Sequence, residues 1–359
     1  NTLILCGDAP FIDAETIKGA LELHTEKDCG VTVVTSRVEN PTGYGRIIKE
    51  NDAFKAIVEQ KDCDNEQAKV REINSGIYWF KAEKLSGLLD KLGNNNAAGE
   101  YYLTDTVGVA DKKGVYTADS ADVVLGANSR SQLAALNEVA RKRKLAELMD
   151  EGVDIPLSDG IIIGKDVKIG HDTVILPNTI IKGNTVIGNG CEIGPNSYID
   201  NCVIEDNVIL NNVQAHESKV DSKAKAGPFV HLRPNTHLHS GVKIGDFVEV
   251  KNSEVGINTC IAHLTYVGDS DVGKGVNFGC GCVTANYDGI KKYRTTIGDN
   301  AFIGCNTNMI APVTIGDNAT TAAGSTITED VPADSLAVER GQTRIIEHWE
   351  KNSKRIKKA

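Results

Sequence analysis

Isoleucine recurs at every sixth position without a slip, at Ile163, Ile169, Ile175, Ile181, Ile187, Ile193 and Ile199. A helix repeats its faces about every 3.6 residues and a strand about every two, so a period of six belongs to neither. Self-similarity at a fixed short period marks a repeat architecture, here a parallel β-helix of hexapeptides. Glycine often follows the isoleucine, at Gly164, Gly170, Gly188 and Gly194. Four residues after it stands a small or β-branched residue: Val167, Thr173, Thr179, Thr185, Cys191 or Ser197. The pattern predicts three flat strands per coil, with isoleucine inward, glycine easing the corner and the small residue in the inner angle. Coils stacked about 4.8 Å apart, roughly nine of them, make a prism on the order of 45 Å long. The phase shifts over 200–260 and is rejoined at Ile261 and Val267. It is regular again at Ile297, Ile303, Met309, Ile315, Thr321 and Ile327. Flat outer faces favour side-by-side packing, and a homotrimer is the symmetric closed solution.

The first third of the chain lacks this ruler. Strand-like runs at Leu3–Leu5, Val31–Thr35, Ile77–Phe80 and Val123–Leu125 alternate with helix-like stretches at Asp13–Leu23 and Ala82–Leu92. Alternation of this kind predicts an α/β open sheet, largely parallel, with ligands at strand C-terminal ends. Leu133, Leu136, Val139, Ala140, Leu145 and Leu148 then fit helical spacing, with Ser129 or Ser131 as cap. The expected domains are 1–128, a linker helix 129–153, the β-helix 154–345 and a basic tail 346–359.

Bulk composition narrows the partners. The 359 residues carry a net charge of −10 and a pI near 5.4, which argues against a general nucleic-acid binder. Lys351, Lys354, Arg355, Lys357 and Lys358 read as a solvated tail. Nine dispersed cysteines, an odd number without a CxxC pair, predict free thiols and a reducing, cytoplasmic setting. No apolar run is long enough to cross a membrane.

The hexad breaks over 286–296, where NYDGIKKYRTT must leave the prism as a loop, and loops on rigid scaffolds tend to carry function. Polar residues gather around it: Arg233, Glu249, Lys251, His263, Tyr266 and Asn277. These strings, with GDAPFI, PTGYGRI, VEQKD, EINSGIY, NNNAAGEYYLTD, LRPN, GDFVEVKNS, AHLTYVGDS, NFGCGCVTANYDG and IAPVTIGDN in order, carry a resemblance that covers essentially the whole chain. The chain resembles the bacterial family of bifunctional N-acetylglucosamine-1-phosphate uridylyltransferase/glucosamine-1-phosphate acetyltransferases. The resemblance implies a left-handed β-helix, cytoplasmic location and synthesis of a cell-wall precursor.

For acetyl transfer from acetyl-CoA to glucosamine 1-phosphate, the resemblance makes His263 the base and Glu249 the group that orients it. Histidine suits that task near neutral pH. Arg233 and Lys251 match phosphate and sugar contacts, and an arginine fork suits phosphate. Tyr266, Asn277 and Asn286 match sugar-binding positions. Cys280, Asn286, Tyr287, Cys305, Ala323 and Arg340 match acetyl-CoA positions, with the Cys280 backbone N–H at the oxyanion. The family often has alanine at 280 and commonly serine at 305; direct transfer requires no nucleophilic cysteine. His237 and His239 share one strand face, as metal ligands could, but the family offers them no role and solvent exposure is the expectation.

For uridylyl transfer from UTP to N-acetylglucosamine 1-phosphate, Asp8 and Asn128 match the Mg²⁺ ligands, and Asp8, Gly45, Glu59, Asn74 and Asn128 match sugar-nucleotide contacts. Read without the family, Asp8 is a turn aspartate and Asn128 a helix cap. The family's N-terminal glycine-rich loop with its Arg and Lys is missing, so the expectation is that residues 1–359 do not bind UTP properly. Two other readings remain: a nucleotidyltransferase whose solenoid serves only assembly or regulation, and a non-enzymatic trimerising scaffold.

Overall fold

In the computed structural model, which describes residues 1–51, 53–127 and 129–347, the chain divides into two compact units, Asn1–Ala140 and Arg141–Ala359. The first unit begins with strand β1 (Thr2–Ile4) and helix α1 (Ala14–Glu26). Asp13 starts that helix by accepting the Thr16 backbone N–H at 2.7 Å, which satisfies one of its orphan donors. Strand β2 (Val31–Arg37) follows, then a hairpin of β3 (Arg46–Glu50) and β4 (Ala53–Val58), with Asn51 in the left-handed region. Strand β5 (Glu72–Phe80), helix α2 (Ala82–Leu89), the short helix α3 (Asp105–Val109) and strand β6 (Lys113–Thr117) complete the sheet layer.

The sheet order is β4-β3-β5-β2-β6, with β1 also on β5. This corrects the expected largely parallel sheet, because only β2 with β6 pairs parallel. The strand–helix–strand pattern does give β1 and β2 a common direction. Strand β5 sits between them and runs antiparallel to both, with Phe80 beside Thr2 on one edge and Val31 on the other. A sequence pattern of alternation does not reveal a strand inserted from later in the chain. The run Val123–Leu125 is also not a strand. It lies in a 3₁₀ turn, Ala121–Val124, opened by Ser120 accepting the Asp122 N–H at 3.2 Å. Val123 and Val124 are buried all the same, so the apolar run reported burial and not backbone shape.

Helix α4 (Arg130–Asp150) has Ser129 at its start, accepting the Gln132 N–H at 3.2 Å, and the boundary between the two units falls within it. The second unit is a parallel β-solenoid with three faces. Face one has ten strands, from Ile162–Ile163 to Thr326–Ile327. Face two has nine, from Lys168–Ile169 to Val313–Ile315. Face three has ten, from Val174–Ile175 to Leu336–Ala337. Every isoleucine of the ruler points inward and is buried, and Ile181 lies directly against Ile199 one coil on. The small residues at 167, 173, 179, 185, 191 and 197 are buried in the inner angles, as their size predicts.

The corner glycines work differently from the expectation. Of the four, only Gly194 has a positive φ, 102°; at Gly164, Gly170 and Gly188 the left-handed turn is not made, and it falls instead three residues after the isoleucine, at Asp172, Asn178, Gly190 and Asn196. Gly170 is needed because a Cβ there would stand 2.7 Å from the Gly188 carbonyl carbon in the next coil. Coil stacking, not backbone freedom, selects it. The slipped phase is equally physical. Coils between Ile199 and Ala215 and between Ile204 and Val220 are shorter than the regular ones, yet each inward residue still meets its predecessor. The insertion enlarges one coil, so that Ser270 pairs with Thr295.

Candidate active site

Parallel pairing stacks equivalent residues of successive coils into columns. On face three, Ile261, Phe278, Ile303 and Thr321 lie one above another. Two residues beyond each of them, at the corner with face one, stand His263, Cys280, Cys305 and Ala323. The corner is knitted by Gly281 N–H to the His263 carbonyl at 3.3 Å, Asn306 N–H to Cys280 at 2.7 Å and Gly324 N–H to Cys305 at 2.8 Å. Four sequence-predicted residues therefore form one column along one prism edge. The His263 side chain is exposed. Above it the column carries only small side chains, half-buried Cys280, exposed Cys305 and Ala323. Among the described residues nothing accepts from the Cys280 backbone N–H, so that donor is free for a ligand. Asn277 is exposed on face three, between Cys260 and Phe302. Arg340 is exposed beyond the last face-three strand, Leu336–Ala337.

A second cluster forms at the opposite edge of face one. Glu249 and Lys251 flank buried Val250 on the strand Glu249–Lys251, which holds both side chains outward. The Arg233 guanidinium donates to Glu249 Oε1 at 2.8 Å. Asp269 accepts from the side-chain amides of Asn252, at 2.5 Å, and Asn286. The Lys292 ammonium lies against Lys251; this contact and burial hold the Lys251 pKa below the ordinary lysine value, with Asp269 opposing. Burial pushes the Asp269 carboxyl up, but Asn252, Asn286, Lys251 and Lys292 outweigh it and keep the carboxylate ionised. Three cations, Arg233, Lys251 and Lys292, thus crowd a place where Glu249 and Asp269 act as counter-charges. Such a site favours an added anion.

Tyr266 joins the two clusters. Its backbone follows the His263 corner, and its ring crosses face one until the hydroxyl lies 3.4 Å from Asn286 Nδ2. Gly268 makes the crossing possible, since a Cβ there would stand 2.3 Å from the Tyr266 oxygen. The loop over 286–294 is built, not loose. Asp288 accepts the N–H groups of Ile290 and Lys291 at 2.7 and 2.6 Å, and Tyr293 N–H closes on the Asn286 carbonyl at 2.8 Å. Arg294 pins its base to Asp271, with 2.9 and 2.5 Å contacts, and to the Asn252 and Ser270 carbonyls. Tyr287 stands on this loop, exposed, with its hydroxyl donating to the Gly289 carbonyl at 2.7 Å.

One expected contact is not formed. Among the described residues no hydrogen bond or ion pair links Glu249 with His263; Glu249 is engaged by Arg233. Lys292 and Arg294 were missed by the sequence reading, although both lie in the loop it singled out. Their signal was the basic run inside an otherwise polar insertion.

In the first unit, Asp8, Gly45 and Asn74 line one cleft of about 240 Å³, together with Thr42, Gly43 and Gly76. Asn74 bridges outward from β5: its amide donates to the Tyr78 hydroxyl at 2.7 Å, and its carbonyl oxygen accepts Gly76 N–H at 3.1 Å. Glu59 is adjacent to Gly45, whose missing side chain would otherwise stand 3.2 Å from the carboxylate. Burial, and then Asp105 and Asp62, push the Glu59 carboxyl up. The buried Arg46 holds the glycine loop from beneath, donating to the Tyr44 carbonyl and to Gln60 at 2.6 Å, while Gln60 also accepts Gly43 N–H at 3.1 Å. The exposed Asp8 carboxylate lies beside Gly126, with Oδ2 3.2 Å from where a Cβ would be, so the glycine leaves it open to a ligand. Asn128 lies outside the described residues, as does the basic tail beyond 347.

Comparison with known proteins shows the family. The bacterial transferase hexapeptide family (six repeats) matches residues 294–329. A protein of Acetivibrio thermocellus named "Bifunctional protein GlmU" is 48% identical over 353 residues, covering 97% of this chain and 76% of its own length. Proteins of the same name from Clostridium acetobutylicum and Desulfitobacterium hafniense strain Y51 are 45% and 43% identical, covering 96% and 99% of this chain and 77% and 79% of their own. Among solved structures, the UDP-N-acetylglucosamine acyltransferase of Francisella novicida matches 50% of this chain and 64% of its own at 20% identity, with a TM-score of 0.32 that carries no argument. Long identity of this kind, on a hexapeptide solenoid that follows an α/β sheet, places the chain in the GlmU family of bifunctional acetyltransferase/uridylyltransferases.

Proposed function

We propose that the second unit transfers acetyl from acetyl-CoA to the amine of glucosamine 1-phosphate, with the two edges of face one dividing the work. The observation that carries this is the pairing of a free histidine column with a cation cluster, joined by Tyr266. Acetyl-CoA runs along the small-residue column, where Cys280, Cys305 and Ala323 leave room, with Tyr287 and Arg340 as further contacts. The sugar phosphate sits toward Arg233, Lys251 and Lys292, whose crowded charges a phosphate relieves, with Tyr266 and Asn286 on the sugar; Asn277, on face three, is not brought to this edge within one chain. The amine nitrogen attacks the thioester carbonyl carbon. His263 takes the amine proton, the Cys280 N–H donates a hydrogen bond to the oxyanion, and the carbon–sulfur bond breaks to release the thiolate, which His263 protonates. Glu249 acts on this site through Arg233 in the isolated chain; it is placed to orient His263 only if the bound substrate or a neighbouring subunit rearranges the pair.

The cleft of the first unit contributes metal and sugar-nucleotide contacts to the uridylyl site, at which the family joins UTP and N-acetylglucosamine 1-phosphate; UTP binding by residues 1–359 alone is expected to be impaired. Asp8, and Asn128 with it, would hold Mg²⁺, a hard ion suited to an open carboxylate and water; when bound it neutralises developing phosphate charge. Gly45, Asn74 and Glu59 position the sugar nucleotide. All nine cysteines are free, which fits a reducing cytoplasm. No helix among the described residues is long and apolar enough to cross a membrane.

The chain works as a homotrimer. Phe229, Phe247 and Leu264 occupy left-handed corners on the histidine edge, where other coils use asparagine or glycine. All three are more than half exposed, and the two phenylalanine rings stack 5.0 Å apart. Backbone strain and exposed aromatic surface on one edge together call for a covering subunit.

Three outcomes test this reading. His263→Ala should lose most glucosamine-1-phosphate-dependent thiol release while still binding acetyl-CoA; near-normal turnover removes His263 as the base. Lys251 should deprotonate below the ordinary lysine range, so kcat/KM for the sugar phosphate falls on the alkaline side as pH passes that value. Lys292→Ala removes the repelling ammonium, raises the Lys251 pKa and should shift that limb to higher pH; an unmoved limb contradicts the pairing. In sedimentation equilibrium the chain should be trimeric and Phe247→Asp should dissociate it; a monomeric parent at micromolar concentration refutes the assembly.

A further inference from the structure

Face two carries a cluster that neither reaction uses. Asp221, His237, His239 and Glu254 come from three successive coils. His237 pairs in register with Lys219 on the coil before and with Glu254 on the coil after. His239 points to the same side as His237, and the two rings lie 3.9 Å apart. Asp221 is largely buried, with only 12% of its side chain exposed, while Glu254 is open to solvent at 53%. The expectation of solvent-exposed histidines is therefore corrected: both rings are partly covered, and both nitrogens of each lie against a carboxylate.

This placement has a consequence for charge. His237 Nε2 lies 2.9 Å from Asp221 Oδ1, and His239 Nδ1 lies 3.1 Å from Asp221 Oδ2. The other nitrogens, His237 Nδ1 and His239 Nε2, lie 2.9 and 3.1 Å from Glu254 Oε2. A neutral imidazole has one N–H and one lone pair. Two neutral rings can therefore satisfy only two of these four contacts; the other two set a nitrogen lone pair against a carboxylate oxygen. Protonating both rings would satisfy all four contacts; with neutral rings, one tautomer choice does so once a cation is present. The Glu254-facing nitrogens carry the protons and donate, and the Asp221-facing nitrogens turn their lone pairs toward a cation.

We infer that Asp221, His237 and His239 form a binding site for a divalent transition-metal ion, with Zn²⁺ as the best-matched class. The ligand atoms of these three residues all lie within 4.8 Å of one another. Zinc bonds of about 2.0–2.2 Å set neighbouring donor atoms roughly 3.3 Å apart in a tetrahedron, close to the nitrogen–oxygen separations here. Water completes the fourth position on the exposed side. Glu254 then does what an outer carboxylate does at such centres: it holds both ring N–H groups and fixes the tautomers. The surrounding charge agrees. Glu205 and Lys219 also face the cluster, with Lys219 Nζ 2.9 Å from Asp221 Oδ1 and 3.8 Å from Glu205 Oε1. Three carboxylates against one ammonium leave an excess that a divalent cation cancels. Lys219 competes for Asp221 when no ion is bound, and its half-exposed side chain can swing into solvent when one arrives.

The test is Zn²⁺ titration of the metal-free full chain against a chromogenic chelator, with Co²⁺ absorption to identify the ligands. The parent should take up one high-affinity ion, and the Co²⁺ form should show visible bands of a nitrogen–oxygen site without thiolate charge transfer. Glu254→Gln should weaken binding by about 10–100-fold. Lys219→Ala should tighten it, and His237→Asn with His239→Gln should abolish it. Far-ultraviolet circular dichroism of each chelator-treated variant checks the fold, and the opposed shifts of Glu254→Gln and Lys219→Ala decide the matter if the double variant does not fold. Thiolate bands, uptake that is the same in all variants, or no uptake at micromolar Zn²⁺ overturns the site.

Discussion

Parallel hydrogen bonding between coils is the constraint on which the rest depends. Each coil is held to the next through its backbone, and the inward aliphatic residues fill the interior between them. A side chain therefore has no freedom to drift sideways from the one beneath it. Chemistry on such a scaffold comes in columns, along edges and on faces. His263, Cys280, Cys305 and Ala323 make one column along an edge, and Asp221, His237 and Glu254 are stacked across three coils on face two.

The same constraint explains why an insertion can be functional at little structural expense. The segment after Ala285 leaves the prism and returns so that Thr295 pairs with Ser270, and the register above and below is unbroken. Asp288 organises the loop from within and Arg294 fastens it from beneath. Lys292 is delivered against Lys251 by a loop anchored at both ends, which is why a repulsive contact between two ammonium groups can persist. The tension is local, and in the proposed function a bound phosphate would relieve it.

Much of the solenoid was legible in the sequence because its signal is redundant: each isoleucine repeats the same statement about burial. The corners were legible only in part, since glycine for close stacking and asparagine for left-handed turns look alike in a sequence. The mixed sheet of the first unit was not legible. Its alternating strands and helix did mark two strands of like direction, but the insertion of β5 between them is a long-range pairing with no local sign. Among the site residues, Arg233, Lys251, Tyr266 and Asn286 gather at one edge of face one, and Asp8, Gly45 and Asn74 share a cleft. Lys292 and the Asp221–His237–His239–Glu254 cluster needed coordinates, because their partners lie a coil apart and spacing alone does not say which faces meet.

The central claim is that the two edges of face one serve different substrates. Calorimetric titration of the Ala323→Trp variant tests it most directly, because the indole would fill the small-residue column without touching the cation cluster. Acetyl-CoA affinity should fall sharply while glucosamine 1-phosphate binds as it does to the parent chain. Undiminished acetyl-CoA binding, or an equal loss for both ligands, would contradict the division.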